Sequence, residues 1–175
     1  MGFAFAAVFL WLARPSWRTM LASLVLVLPG LWLRGYASGY VKKNAELTTT
    51  GPYAHTRNPL YLGSMLIAFG FAAAAASWVI LGSLAVLFAA IYIPTIQGEE
   101  AYLREHFAGF EAYAREVPRL LPRLTAAGGG AAGDRTVAKG AFSTELYMGH
   151  REYNSAMGAV GLYLALAARL LFVSR

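Results

Sequence analysis

The hydrophobic residues of this chain fall into five long runs that are separated by polar segments. The runs cover residues 2–13, 17–36, 59–76, 78–97 and 155–173. The third and fourth runs share residues 58–98, a stretch of 41 residues without a charged side chain. At about 1.5 Å of rise per residue, this stretch gives about 60 Å of helix, enough to cross a hydrocarbon layer of about 30 Å twice. The pattern predicts one domain, residues 1–175, with an all-α polytopic membrane fold and about five transmembrane helices.

The polar segments predict which helix ends lie on the same side of the membrane. Segments 34–58 and 98–152 together hold 11 of the Lys and Arg residues, and the rest of the chain holds 4. Five spans place both segments on one side, which the positive-inside rule makes cytoplasmic. All nine acidic residues lie there too. We therefore expect the site to face the cytoplasm, and the alanine-, glycine- and arginine-rich composition favours a bacterial inner membrane.

Segment 98–152 is expected to contain a helix and a linker. Residues 99–116 carry apolar side chains at three- and four-residue spacing, and a Val-Pro pair then ends the helix. Residues 124–134 are rich in alanine and glycine and predict a flexible linker. Within the linker, residues 128–133 match the glycine spacing of a dinucleotide-binding loop. Because no strand precedes them, we expect no Rossmann domain.

Composition supports the membrane interpretation and excludes several other functions. The chain is 58% hydrophobic and 14% charged, whereas soluble domains average about 25% charged residues. The net charge of +6 fits basic cytoplasmic loops, and we expect no nucleic-acid partner. The absence of cysteine excludes disulfides, thiolate metal sites and cysteine nucleophiles. We predict membrane lipids as partners and no metal site.

The polar loop before the third run carries the first candidate site. Asn58 is expected to cap the following helix, with Pro59 at its first position. The free N–H groups of a helix N-terminus, together with Arg57, suit a carboxylate or phosphate. Tyr53 and Tyr61 could stack or form hydrogen bonds there. The alternative is that Arg57 and the tyrosines are interfacial anchors.

Two further segments carry candidate chemistry. Glu99 and Glu100 follow the fourth run, where acids at a helix C-terminus oppose the helix dipole and need partners. They either answer nearby arginines or accept hydrogen bonds from ribose hydroxyls or an amino group. Arg119 follows a turn, where it could hold an anion or contact lipid head groups.

Taken together, the three segments resemble the isoprenylcysteine carboxyl methyltransferase family. This family belongs to a wider group of membrane methyltransferases that includes the phospholipid N-methyltransferases. The resemblance rests on the motif within residues 51–63, the acid pair Glu99-Glu100 and the Val-Pro-Arg sequence that ends at Arg119. It covers about residues 34–123, and a weaker similarity extends through Phe142–Asn154 into the last apolar run.

The resemblance implies S-adenosylmethionine as cofactor, bound at the cytoplasmic ends of the helices. It implies three groups of site residues. The cofactor-binding residues would be Leu47, Thr48, Tyr53, His55, Arg57, Asn58, Pro59, Leu60, Tyr61 and Glu99. The catalytic residues would be Arg57, Glu99 and Glu100, and Arg119 would bind the substrate.

The implied reaction is methyl transfer to a lipophilic acceptor that enters laterally between the helices. Our first hypothesis is carboxyl O-methylation of an isoprenoid-type or related compound, because a carboxylate needs no general base at neutral pH. N-methylation of a phospholipid or another amine is the alternative, with Glu99, Glu100 or His55 as candidate bases. A hypothesis from another class is a non-enzymatic membrane subunit that binds lipid or a partner.

Overall fold

A computed structural model describes residues 2–42, 46–127 and 140–173, which form seven α-helices and no strand. The helices are α1 (Gly2–Leu12), α2 (Trp17–Ser38), α3 (Pro59–Ala75), α4 (Trp78–His106), α5 (Phe110–Glu116), α6 (Thr144–Gly149) and α7 (Tyr153–Val173). A 3₁₀ turn over Gly51–Ala54 precedes α3. The predicted all-α architecture is thus confirmed. The glycine-rich motif at residues 128–133, and with it most of the predicted linker, lies outside the described residues.

Three helices of the described chain are long and apolar enough to cross a membrane, namely α2, α4 and α7. Helix α3 is apolar but has 17 residues, about 26 Å at 1.5 Å per residue. Helix α1 has 11 residues. The chain is therefore a polytopic membrane protein as predicted. Of the five expected spans, three have the length to cross a bilayer unaided.

Helices α2 and α3 form the most extensive helix contact in the structure. Glycines let their backbones approach: a Cβ atom on Gly30 would lie 2.8 Å from the Gly63 carbonyl oxygen. A Cβ atom on Gly63 would lie 2.6 Å from Cγ of Arg34. Small residues are favoured at such contacts because helices in lipid associate through close packing.

Helix α7 is held to the other helices by polar ties as well as by packing. The Tyr163 hydroxyl lies 2.6 Å from the Ser23 hydroxyl oxygen of α2, and its ring packs against Phe71 of α3 with centroids 4.8 Å apart. Nearer the end of α7, Arg169 donates to the carbonyl of Ala13 at 2.7 Å.

The polar residues gather at the two ends of the helix bundle. At one end, the Arg14 amide donates to the carbonyl of Ala75 at 2.7 Å, close to Arg169. At the other end, residues of segments 34–58 and 98–152 contact one another. We call this second end the site end, and it confirms that the two segments share one side.

The helix predicted over residues 99–116 is wrong in one respect, because it is two helices. Helix α4 continues through the acid pair to His106, and Phe107 is extended with φ −129° and ψ 107°. Gly109 then precedes α5, and glycine is a poor helix former. The break turns Phe110 inward, where it is 1% exposed. Because α4 ends beyond the acid pair, the expected conflict of these acids with the helix dipole does not arise.

Candidate active site at the site end

A cavity of about 610 Å³ lies at the site end among α2, α3, α4 and α5. Its volume is in the range of small-molecule sites, about 300–1,000 Å³. Of the residues that the sequence singled out, all but His55 and Arg119 line it: Leu47, Thr48, Tyr53, Arg57, Asn58, Pro59, Leu60, Tyr61, Glu99 and Glu100. Residues about 40 positions apart in the sequence therefore meet, as two adjacent apolar helices require.

The segment before α3 is fixed by hydrogen bonds to the chain that follows α5. The Arg57 amide donates to the carbonyl of Pro118 at 2.9 Å, and the Thr56 hydroxyl donates to the carbonyl of Leu120 at 3.0 Å. Asn58 holds the predicted cap position, but its side chain donates to the carbonyl of Arg119 at 2.9 Å and forms no cap bond. The first turn of α3 thus keeps N–H groups without a side-chain cap.

Glu100 holds two arginines at the edge of the cavity. Glu100 is 4% exposed, and its Oε1 lies 3.3 Å from Nη1 of Arg57. Oε2 accepts from Nη2 of Arg119 at 2.7 Å. The hydrogen bond and charge of Glu100 raise the pKa of Arg119. Arg119, predicted to bind substrate, therefore lies outside the cavity lining and directs its guanidinium to Glu100.

Arg57 is incompletely satisfied. Its Nε is buried and has no hydrogen-bond partner among the described residues, although nearly all buried polar groups in proteins have one. Its guanidinium carbon lies 5.9 Å from the ring centroid of Phe110. The Thr48 hydroxyl is also buried without a partner. Both residues line the cavity, so the site has unmet polar groups that a bound ligand could satisfy.

Glu99 carries a negative charge of the cavity that no salt bridge within the described part of the chain balances. Its Oε1 accepts a hydrogen bond from the Tyr61 hydroxyl at 2.7 Å. The other carboxylates of the lining have basic partners within the described residues, in the pairs Arg34–Glu152, Lys42–Glu46 and Arg57–Glu100. The site therefore offers an anionic surface at Glu99 and a cationic one at Arg57.

Aromatic residues form much of the remaining wall. The Tyr61 ring packs edge-to-face on Tyr92, with centroids 4.9 Å apart. The Tyr113 hydroxyl donates to the carbonyl of Tyr53 at 2.8 Å. Burial raises the pKa of both Tyr53 and Tyr113, so their phenols stay protonated at neutral pH. These faces suit a planar or apolar ligand group.

His55 does not join this constellation. Its Nδ1 donates to the carbonyl of Arg123 at 2.9 Å, and it is not part of the cavity wall. The structure thus gives His55 a structural hydrogen bond outside the cavity, where the sequence predicted a cofactor contact or a candidate base.

Sequence analysis missed an ion pair that lines the same cavity. Arg34, near the end of α2, donates from Nη2 to Oε1 of Glu152 at 2.6 Å and from Nε to Oε2 at 3.0 Å. Glu152 directly precedes α7. The available signal was an arginine within an apolar helix, since charges in such segments are costly and have a role by default.

A second cavity of about 790 Å³ adjoins the first. It lies between Tyr40, Lys42 and residues 46–50 on one side and the segment from Gly140 to His150 on the other. It shares Lys42, Glu46, Leu47 and Thr48 with the first cavity. Among the residues that the structure describes, no group of three or more His, Asp or Glu side chains could hold a metal ion.

Comparison with known proteins identifies the family. A model of the phospholipid methyltransferase family matches residues 19–109. The chain is 39% identical over 95 residues to the nickel-cobalt-cadmium resistance protein NccN of Alcaligenes xylosoxydans xylosoxydans. It is equally similar over 95 residues to the cobalt-zinc-cadmium resistance protein CzcN of Cupriavidus metallidurans.

Each alignment covers 54% of this chain, and 44% and 43% of the two relatives, so the match spans under half the length of either relative. No solved structure matches the chain. The family match contains the motif within residues 51–63 and the acid pair, and it bears out the resemblance to this group of membrane methyltransferases. The chain belongs to the phospholipid methyltransferase family.

Proposed function

We propose that this protein is an S-adenosylmethionine-dependent methyltransferase that acts on a lipophilic acceptor. One observation carries the proposal: Arg57 and Glu99 line the same cavity. Among the described residues, the buried Nε of Arg57 has no hydrogen-bond partner, and no salt bridge balances the charge of Glu99. We place the site end at the cytoplasmic face of a bacterial inner membrane, because the basic residues concentrate there.

The residues of the cavity fit the charges of this cofactor, which has a carboxylate, an ammonium and a sulfonium group. Arg57 and the uncapped N–H groups of α3 would hold the carboxylate. Glu99, oriented by Tyr61, would face the positive groups, and the tyrosine rings would contact the adenine. When bound, the cofactor supplies a methyl group on a positively charged sulfur.

The chain mainly needs to position the two reactants and to exclude water. Glu100 fixes Arg57 through their salt bridge, and Phe110 supports the guanidinium from its ring face. No proton transfer is required for a carboxylate acceptor, and arginines already engage Glu100 and Glu152. These contacts favour carboxyl O-methylation of an isoprenoid-type or related compound.

N-methylation of a phospholipid amine is the second candidate. Glu99 supports it, because a carboxylate without a basic partner can accept the proton that an ammonium must lose before it is methylated. The description of the matching family also favours a phospholipid.

The names of the relatives suggest what such a reaction could achieve. Esterification of a carboxylate removes one negative charge from a membrane compound, and so weakens its attraction for divalent cations. We include this effect in the proposal, because the relatives are named for resistance to nickel, cobalt, zinc and cadmium.

Isothermal titration of the detergent-purified protein with S-adenosylmethionine tests the proposal. We expect a dissociation constant between about 1 µM and 1 mM, the usual range for enzyme substrates. The absence of binding at millimolar cofactor would overturn the enzyme proposal and leave a non-enzymatic membrane subunit that binds lipid or a partner.

A transfer assay then separates the two acceptors. The protein is given methyl-labelled cofactor together with either a farnesylated cysteine derivative or phosphatidylethanolamine vesicles. Label that alkali releases as methanol identifies a methyl ester, whereas label that resists alkali identifies a methylamine. If the protein binds the cofactor but labels neither probe nor extracted bacterial lipids, methyl transfer to a lipophilic acceptor is contradicted.

A further inference from the structure

The Arg34–Glu152 pair connects the cavity to a part of the chain outside the matched family region. Residues 19–109 match the family model, and Glu152 lies 43 positions beyond them. The side chains of Arg34 and Glu152 are 24% and 11% exposed, and both line the cavity. The residue that directly precedes α7 thus completes the wall of the cavity.

The third nitrogen of the Arg34 guanidinium contacts the beginning of α3. Its Nη1 donates to the Ser64 hydroxyl and, at 3.4 Å, to the carbonyl of Leu60. Gly63 makes this possible, because any Cβ atom there would collide with the Arg34 side chain. Leu60 lies in the first turn of α3, next to Tyr61. A single guanidinium therefore joins the start of α7 to the turn that carries the proposed cofactor contacts.

We propose that Arg34 and Glu152 are positioning residues for the cofactor site. Glu152 holds the guanidinium of Arg34, and Arg34 holds the first turn of α3, with Tyr61 in it and Arg57 just before it. Helix α7 is thereby part of the functional unit, although the family region ends before it. The inference rests on the proposed cofactor binding.

Another polar contact of α7 provides a control that separates positioning of the cofactor site from simple attachment of the helix. The bond between Tyr163 and Ser23 fastens α7 to the same helix, α2, as the Arg34–Glu152 pair does. Neither Tyr163 nor Ser23 lines the cavity. Tyr163→Phe loosens α7 without disturbing the turn of α3, and it retains the ring contact with Phe71. It is therefore the matched control.

The test compares Glu152→Gln, Glu152→Asp and Tyr163→Phe by titration with S-adenosylmethionine and by thermal unfolding in detergent. Glu152→Gln should raise the cofactor dissociation constant about tenfold, a coupling of ordinary size for contacting polar residues. Glu152→Asp, which keeps the charge, should recover part of the affinity. Tyr163→Phe should lower the unfolding temperature and leave the dissociation constant within about twofold of wild type.

The outcomes distinguish this inference from the proposed function. If wild type binds no cofactor, the proposed function fails and the positioning role fails with it. If wild type binds but Glu152→Gln binds equally well, only the positioning role is overturned. The same holds if Glu152→Gln and Tyr163→Phe weaken binding equally, because attachment of α7 then explains the effect.

Discussion

Arg34 and Arg57 each pair with a poorly exposed glutamate at the same end of the helix bundle, but their surroundings differ. Arg34 is bound at Nε, Nη1 and Nη2, with contacts to Glu152, Ser64 and the Leu60 carbonyl. Within the residues that the structure describes, Arg57 has one ion-pair contact at 3.3 Å, and its buried Nε has no partner. A guanidinium with all its nitrogens bound holds neighbouring segments together, whereas one with an unmet donor keeps a hydrogen-bonding capacity that a ligand could use.

Glu152 and Glu100, the partners of these arginines, differ in how far they balance the charges around them. Glu152 balances one arginine and also accepts from the Ser155 hydroxyl at 3.1 Å. Glu100 serves two arginines, Arg57 and Arg119, so its cluster keeps a surplus positive charge. Glu99, on the neighbouring position of α4, supplies a negative charge. The cavity is polarised by this arrangement, whereas the charges on its Arg34 side balance.

The largest expected effect comes from removing the charge of Glu100, which pairs with Arg57 and Arg119. Glu100→Gln leaves Arg57 without its counter-charge, and loss of one partner of a buried pair costs about 3–5 kcal/mol. We expect a loss of stability of about 3 kcal/mol, because Arg119 can turn to solvent. Unfolding in detergent measures the effect. Glu111→Gln is the control, since its ion pair with Arg104 is exposed. Equal stability of the two variants would show that Glu100 does not hold the arginines in place.

The next prediction compares the contributions of the two arginines that contact Glu100 to cofactor binding. Arg57→Ala should weaken cofactor binding by about 1–3 kcal/mol, the value of a hydrogen bond to a charged group plus the group left unpaired. Arg119→Ala should weaken it less, because the Arg119 side chain is 51% exposed and does not line the cavity. Titration with S-adenosylmethionine measures both. Unchanged affinity in Arg57→Ala removes this residue from the site.

The smallest effect concerns the orientation of Glu99. Tyr61→Phe removes the hydroxyl that donates to Glu99 and should weaken cofactor binding by about 1 kcal/mol, the net value of one hydrogen bond. Tyr92→Phe is the matched control, because the Tyr92 ring packs on Tyr61 but does not bond Glu99. If the two variants behave alike, Glu99 does not depend on Tyr61 for its position.

The sequence predicted the part of the site that bilayer geometry determines. Arg57 and Glu99 bound the uncharged stretch, and two adjacent apolar helices return its ends to one side. The helix start at Pro59 also followed from local chemistry, since proline suits the first helical position. These features depend on neighbouring residues or on one helix pair, which a sequence pattern records.

The features that the sequence missed depend on contacts between distant segments. Arg34 and Glu152 are 118 positions apart, and their meeting depends on how α7 packs against α2. Arg119 was expected to be available for an anion, but its guanidinium binds Glu100, 19 positions away, because α4 and α5 fold back on each other. The break at Phe107 likewise places Phe110 under Arg57, which periodicity alone does not reveal.

The close approach of Gly30 and Gly63 has a consequence for the order of assembly in the membrane. Helices held by backbone contact need no third helix between them, so α2 and α3 can pair as soon as α3 has been inserted. In the folded protein Arg34 contacts the first turn of α3, so this contact can form before Glu152 is translated. The glycine contact thus prepares a docking point for α7, which follows later in the chain.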